Sequence, residues 1–301
     1  MKLNFKGNYM KNKFNFKILF GLIILISVLT LTSCEDAAPT EYTPSYVVEA
    51  IIIVNQPIQD IYVKVSQSLR DSFIVDNSYI RDANIQITGD NKVFNLELDP
   101  RNNKSYYYPD TSYKVKAQVN YKIKITLSNG KVFTGETFTP EQIDWLSRSP
   151  KFIKYPENLN NYKSDVKISW TKAKDIKYYL LRVTPLDTLN YGKYLVPPTL
   201  DSNQRIITNF NKNSKNFFRE ITSWAFLPTT ETPIVMSSFK WYGYQEVTVF
   251  ASDDNYTKWA LQLFANNSLD PQLTSIDGGA FGCFGSASMI KDTSFLLKYV
   301  K

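Results

Sequence analysis

Tyr113-Lys-Val-Lys-Ala-Gln-Val-Asn-Tyr-Lys-Ile-Lys-Ile-Thr-Leu127 is the stretch that decides the fold class. Its alternate positions Tyr113, Val115, Ala117, Val119, Tyr121, Ile123, Ile125 and Leu127 are all apolar, and the residues between them are Lys, Gln, Asn or Thr. A period of two is that of a β-strand with one buried face and one wet, here basic, face. At ~3.3 Å per residue the stretch would run about 50 Å, too long for an ordinary sandwich strand, so a bend or break is expected near Asn120. Asn129-Gly130 then predicts a tight hairpin into Lys131–Phe138.

The same signal extends toward the N-terminus. Val47–Val54 is an almost unbroken apolar run, Ile61, Val63 and Val65 alternate with polar residues or Tyr62, and Ala83, Ile85 and Ile87 lead into a Gly89-Asp90-Asn91 turn. Val93-Phe94 and Leu96–Leu98 supply the return strand. Short strands spaced by turn residues over 45–138 predict an immunoglobulin-like β-sandwich. Thr139-Pro140-Glu141-Gln142 has the spacing of a capping box with proline at the first helical position, so residues 139–165 are expected to hold a short helix and a linker.

A second β-rich domain is expected over 166–301, mainly β and weakly fibronectin-III-like. It opens with Val166–Trp170 and Tyr178–Val183, passes through a loop-rich stretch, Thr188–Lys215, and returns to a strand at Glu246–Phe250. Asp253 or Asp254 would cap a short amphipathic helix whose stripe is Tyr256, Trp259, Ala260, Leu263 and Phe264.

The leader has its own chemistry. Residues 1–33 carry five lysines and no acid, and the apolar run Ile18–Leu31 is shorter than the ~20 residues a spanning helix needs. That run ends in Leu31-Thr32-Ser33-Cys34, which resembles a bacterial lipobox. Residues 1–33 are therefore expected to be a lipoprotein signal peptide and Cys34 the lipidation site, because two or more acyl chains make a stable anchor. Glu35 and Asp36, directly after it, resemble an export signal to the cell surface, and also suit a solvated tether over 34–44. Residues 35–44 reach at most about 35 Å.

Composition removes several function classes. The 301 residues include 35 Lys+Arg, 28 Asp+Glu and no histidine, which excludes Ser-His-Asp and Cys-His nucleophiles and His-ligated zinc. Without the five leader lysines the charges stand at 30 basic to 28 acidic, so nucleic acid is not an expected partner. With Cys34 lipidated, Cys283 has no disulfide partner and reads as a buried small hydrophobe. No cofactor or metal site is expected. Glu97 with Asp99, two apart on one strand face, and Asp253-Asp254 are the carboxylates to weigh for a hydrolase, and the latter reads as a helix cap.

Tyr106-Tyr107-Tyr108 and Trp241-Tyr242-Gly243-Tyr244 are the candidate binding aromatics, since an extended run of rings must face both ways. Ordinary half-buried strand tyrosines remain the plain alternative. Asp187-Thr188-Leu189 matches a short bacterial O-glycosylation pattern. Gly278, Gly279, Gly282 and Gly285 crowd into eight residues around Phe281 and Phe284 without a phosphate-loop spacing, and read as a structural segment that turns and then packs as a late strand.

The lipobox, Tyr46-Val47-Val48-Glu49, Ala83–Thr88, Tyr121–Ile125, Asn129-Gly130-Lys131, the aromatic helix Asn255–Asn266 and the Gly278–Ser286 segment occur in that order. Together they resemble an uncharacterised, domain-of-unknown-function family of Bacteroidetes outer-membrane lipoproteins often encoded beside TonB-dependent transporters. Ala50, where relatives usually have glycine, and Cys283 depart from its pattern. The resemblance implies an outer membrane location, exposed at the cell surface, and a TonB-dependent barrel as partner. The expected function is a non-enzymatic ligand-binding or accessory subunit of such a transporter, with a stand-alone adhesion or glycan-binding protein as the alternative and a carboxylate-dependent hydrolase behind both.

Overall fold

Apolar and polar residues separate onto opposite faces along most of the extended segments, and that separation builds the sheets. A computed structural model describes residues 42–68, 72–159, 162, 164, 166–186, 190–202, 206, 223–265 and 270–299. In chain order the strands are β1 (Tyr46–Ile53), β2 (Tyr62–Val65), β3 (Asn84–Gly89), β4 (Lys92–Leu98), β5 (Tyr106–Tyr107), β6 (Asn120–Thr126), β7 (Val132–Phe138), β8 (Trp145–Ser147) and β9 (Phe152–Lys154). They continue as β10 (Lys167–Trp170), β11 (Tyr179–Pro185), β12 (Ser223–Leu227), β13 (Glu231–Pro233), β14 (Gly243–Ser252), β15 (Ile276–Asp277) and β16 (Phe281–Leu297). Among the described residues the α-helix α1 (Asp254–Ala265) lies between β14 and β15.

The protein is mainly β, as its sequence predicts. A six-stranded sheet runs β15-β7-β6-β3-β4-β5, a three-stranded sheet runs β13-β10-β8, and a seven-stranded sheet runs β12-β11-β14-β16-β1-β2 with β9 also paired to β16. Ile85, Ile87, Phe94, Tyr121, Ile123 and Ile125 of the first sheet pack on Val48, Ala50, Ile52 and Val63 of the third. Ile61 and Tyr106 exchange backbone bonds of 3.1 and 2.7 Å and stitch these two layers together. Ile168 and Trp170 cover Leu181, Val183, Val247 and Val249 in a second core. On the opposite face of the seven-stranded sheet, Ala260 of α1 packs with Leu180, Phe250 and Ala287.

Strand β16 enters all three cores, through Phe284 in the first, Ile290 and Leu296 in the second and Ala287 in the third. Its first half lies parallel to β1, from Val47 opposite Phe281 to Ile53 opposite Ala287. Its second half lies antiparallel to β14. The β-rich parts expected at 45–138 and 166–301 therefore share this strand, and residues 44–301 form one compact unit. Hydrogen bonding places β1 beside the last strand of the chain rather than within the sheet of β3, β6 and β7.

Two local expectations need separate accounts. The break near Asn120 is present: β6 starts there, Gln118 adopts φ 58°, and Tyr113 and Val115 stay buried without joining the ladder. The helix expected at Thr139 does not form. The buried Thr139 hydroxyl instead accepts from Val119 N at 2.9 Å and donates to Lys116 O at 2.7 Å, so the group that would cap a helix is used to hold the incoming edge of β6. Ile143 is buried in the second core and Trp145–Ser147 extends as β8.

The hairpin after β6 closes through Gly130, at φ 83°, with Leu127 N bonded to Lys131 O at 2.9 Å. The capped helix also forms, Asp253 Oδ1 accepting from Tyr256 N at 2.8 Å. Of its stripe Trp259 and Ala260 are buried and Leu263 is exposed; the side chain of Phe264 is outside the described set. The second Asp253 oxygen accepts from Thr137 Oγ1 of β7, which ties the helix start to the six-stranded sheet. Burial raises the Asp253 carboxyl above the ordinary carboxylate range, against the hydrogen bonds from Thr137 and Tyr256 N.

Gly282 has φ 121°, and a Cβ there would drive into the Val48 carbonyl of the parallel neighbour β1. Gly279, at φ 84°, has open space around it. Gly282→Ala is expected to cost about 2–4 kcal/mol in urea unfolding, from strain plus clash, and Gly279→Ala about 1–2 kcal/mol. Asp253 supplies a pH test. Because its folded pKa is raised, its contribution is present below about pH 4 and is lost as pH rises through the folded value. The stability advantage of the parent over Asp253→Asn, which keeps a capping side chain, should shrink in parallel melts as pH rises from about 4 through the folded value.

Candidate binding surface

The far end of β16 carries a cluster of aromatic rings drawn from four segments. Phe295, buried, is paired across the ladder with Tyr244 of β14, whose ring meets it edge-on at 4.9 Å. Tyr191 stacks on Phe295 at 5.5 Å, Phe152 of β9 meets it at 6.3 Å, and Tyr194 packs edge-on against Tyr244 at 5.0 Å. Tyr242 extends the cluster between Tyr155 at 5.6 Å and Tyr191 at 6.2 Å. Such edge-on and offset geometries are the favourable ones for rings.

The cluster is fixed by polar contacts at its rim. Lys298 Nζ lies 4.6 Å from the centre of the Tyr191 ring and 5.8 Å from that of Tyr242, and it pairs with Asp201 at 2.7 Å. The backbone N–H of Lys298 donates to the Tyr191 hydroxyl at 2.9 Å. Gly192 N donates to Asp201 O at 2.7 Å, and Thr199 N donates to Gly192 O at 2.9 Å, so residues 191–201 close on themselves. Burial holds the Tyr191, Tyr242 and Tyr155 hydroxyls above the ordinary phenol range, so all three are neutral hydrogen-bonding groups.

What this cluster offers outward is apolar. Phe152 is 66% exposed, Tyr194 and Tyr244 are each 37% exposed, and Val196 and Leu200 on the adjoining loop are fully exposed. Contiguous exposed apolar side chains on a rigid floor mark binding surfaces.

The aromatic residues singled out in the sequence divide. Tyr244 lies on this surface and Tyr242 beneath it, while Trp241 is buried. Tyr106 is a core residue at the other end of the chain's fold, its hydroxyl accepting from Ala83 N at 3.0 Å and donating to Ile80 O at 3.1 Å. Tyr108 packs edge-on to Phe94, and half-exposed Tyr107 has the Arg101 guanidinium 5.8 Å from its ring centre. The two runs therefore do not meet. Phe152, Tyr191, Tyr194 and Phe295 join the surface without a marked aromatic run in the sequence; the one signal is that Tyr191-Gly192-Lys193-Tyr194, like Tyr242-Gly243-Tyr244, brackets a glycine with two tyrosines.

The carboxylates take other roles. Asp99 falls just past β4 and turns inward, accepting from Arg101 N, Nε and Nη2 at 2.9, 2.8 and 2.6 Å, while Glu97 stays exposed. The two do not share a face, because Asp99 closes a turn through Arg101, and that partner holds its carboxyl below the usual range. Among the described residues no three Cys, Asp or Glu side chains gather as a metal site. Cys283 is buried, and burial pushes its thiol well above the ordinary value. Gly285, beside it, lies directly under the backbone of Tyr256 in α1, and Gly278 takes φ 96° against Val132 O, so the glycine segment is read here as packing and turning. Residues 1–33, Cys34, Glu35 and Asp36, and the Asp187-Thr188-Leu189 pattern lie outside the described residues. Among those described no helix is long and apolar enough to cross a membrane.

The layered sheets with an apolar ring surface at one end define a mainly β protein of sandwich type. Residues 35–288 match the family described as Domain of unknown function (DUF4249), and the chain belongs to that family. No curated protein matches the sequence. One solved structure, from work described as structural insight into host cell surface retention of a 1.5-MDa bacterial ice-binding adhesin, is similar at 8% identity over 87% of this chain and 67% of that one. Its TM-score is 0.21, too low to carry an argument.

The floor and the rim of the surface should behave differently under substitution. Phe295→Ala, which empties a site beneath four rings, is expected to cost about 3–5 kcal/mol in urea unfolding. Phe152→Ala removes a mostly solvent-facing ring and should cost less than about 1 kcal/mol.

Proposed function

We propose that this chain is a lipoprotein of the Bacteroidetes cell surface, lipidated at Cys34, that serves as a non-enzymatic ligand-binding or accessory subunit of a TonB-dependent outer-membrane transporter. The observation that carries the reading is the position of the ring surface relative to the start of the folded chain. Tyr46, where the chain leaves the tether, begins β1, and Val47 lies beside Phe281 at the start of β16. Phe295 lies fourteen residues further along the same strand, about 45 Å at ~3.3 Å per residue. A lipid on Cys34 would hold one end of β16 near the bilayer and present Phe152, Tyr194 and Tyr244 at the height of the long extracellular loops that outer-membrane barrels carry.

The chemistry of the surface favours a protein partner. Val196, Leu200 and Phe152 have no hydrogen-bonding groups in their side chains, whereas a sugar site needs donors and acceptors converging on hydroxyls. Tyr194 and Tyr244 are the members that would also suit the stand-alone glycan-binding alternative.

The test is affinity purification of a C-terminally tagged chain from gently solubilised outer membranes. A TonB-dependent barrel in near-equal amount is the expected result, and Tyr194→Ala/Tyr244→Ala should lose it at least tenfold with its melting temperature within a few degrees of the parent. Recovery of the chain alone, under conditions that keep lipoprotein–barrel pairs intact, would overturn the transporter reading and leave glycan adhesion to be tested on polysaccharide columns. Cys34→Ala should move the chain to the soluble fraction, and its persistence in membranes would refute the anchor.

A further inference from the structure

The opposite end of the fold carries its own exposed apolar group, and it adjoins the point where the tether joins. Ser45 and Ser66 are tied by Ser66 N to Ser45 O at 2.8 Å and by Ser45 N to Ser66 Oγ at 2.9 Å. The next residue, Gln67, grips the following turn from both sides: its side-chain amide donates to Ile74 O at 2.6 Å and accepts from Ile74 N at 3.1 Å. The turn so held presents Phe73, Ile74 and Val75, 69, 51 and 58% exposed, as three consecutive apolar side chains. Their exposure is not an accident of a loose loop, because Val75–Ser78 is a 3-10 turn, Gln67 also reaches Ser78 Oγ at 2.7 Å, and Arg81 donates to Asp76 at 2.8 Å.

Behind the apolar tip stands a collar of tyrosine and lysine. Tyr62 and Tyr79 lie 6.0 Å apart, Lys64 Nζ is 5.6 and 5.7 Å from their ring centres, and Lys104 Nζ is 5.4 Å from that of Tyr79. Lys64 pairs with Glu49, Lys104 and Arg81 with Asp76, and Asp60 acts on Tyr62, so the collar has mixed charge. An apolar tip backed by tyrosine rings and lysine stems matches the layering of a membrane interface, where hydrocarbon is met first and headgroups next.

We propose that Phe73, Ile74 and Val75 insert into the outer layer of the bilayer that holds the tether, with Tyr62, Tyr79, Lys64 and Lys104 at headgroup depth. The occupant is fixed by chain length and position. Residues 35–44 reach at most about 35 Å, and Gln67, which holds the turn by its hydrogen bonds to Ile74, is one residue past the Ser45–Ser66 pair, so a lipid at Cys34 keeps this turn within reach of its own membrane. The inference rests on the lipoprotein reading. Its role is orientation: a lipid at a single point leaves the molecule free to rotate about it, and a second contact at the same end fixes β16 outward.

The experiment separates the two ideas by removing the lipid. The mature chain with Cys34→Ala is given one new cysteine, Phe73→Cys or Leu200→Cys, and labelled there with an environment-sensitive nitrobenzoxadiazole dye; the buried Cys283 thiol is shielded. With phospholipid vesicles, zwitterionic and anionic in turn, dye at position 73 should brighten and be quenched by lipids with labelled acyl chains, while dye at position 200 should not change. Vesicle co-sedimentation should fall at least tenfold in Phe73→Ser/Ile74→Ser/Val75→Ser. Equal responses at both positions, no response at position 73, or sedimentation unchanged by the triple substitution would each overturn the insertion. None of these outcomes depends on lipidation, which the Cys34→Ala fractionation of the full chain tests by itself.

Discussion

Everything in this fold leans on the last long strand. β16 is hydrogen-bonded to β1 over its first half, to β14 over its second, and to β9 near its end. Its side chains complete three separate cores. The constraint this imposes is steric. To lie between β1 on one edge, α1 on one face and the six-stranded sheet on the other, the first half must be thin. Gly282, Cys283, Gly285, Ser286 and Ala287 meet that demand, with Phe284 the single large side chain sent into the first core. The polar members of this thin stretch are matched locally: the Ser286 hydroxyl donates to Phe138 O at 3.1 Å, and Asn255 donates to Phe284 O at 3.0 Å.

Strands with one wet face were legible from their residues alone. β3, β6 and β7 alternate because water lies on one side of them, and the Gly130 hairpin follows from a backbone conformation that glycine adopts freely. Tyr113–Val119 keeps the same alternation without being a strand: Val115 bonds through its backbone to Asn55 and Gln56, and Gln118 and Val119 to Thr139, instead of forming a continuous ladder. Thr139-Pro140-Glu141-Gln142 shows the opposite failure: its cap chemistry is local, but the Thr139 hydroxyl gains more by satisfying buried backbone groups at Val119 and Lys116 than by starting an exposed helix. The parallel pairing of β1 with β16 leaves no trace in either segment, because a fully buried strand reads as an apolar or small-residue run whatever its neighbour is.

The ring surface was legible only in part for a related reason. Tyr244 stands out as one of a dense local run, yet its partners arrive from β9, from the turn at Tyr191–Tyr194 and from β16, and three-dimensional clustering across such distances has no one-dimensional signature. Tyr106 and Trp241 looked equally available and are buried, one with both its hydroxyl roles filled by backbone. Aromatic density in sequence identifies where rings are plentiful, and the ladder register decides which of them reach water.

The adjacency of Val47 and Phe281 also has a temporal side. A chain synthesised from its N-terminus carries β1, which ends at Ile53, long before β16, which begins at Phe281, exists to pair with it, and the first core lacks Phe284 until then. Pairing of such widely separated segments is entropically late and slow. Until β16 is delivered neither the β1 edge nor the first core can close, so the topology acts as a clock that sets the final fold by the arrival of that strand.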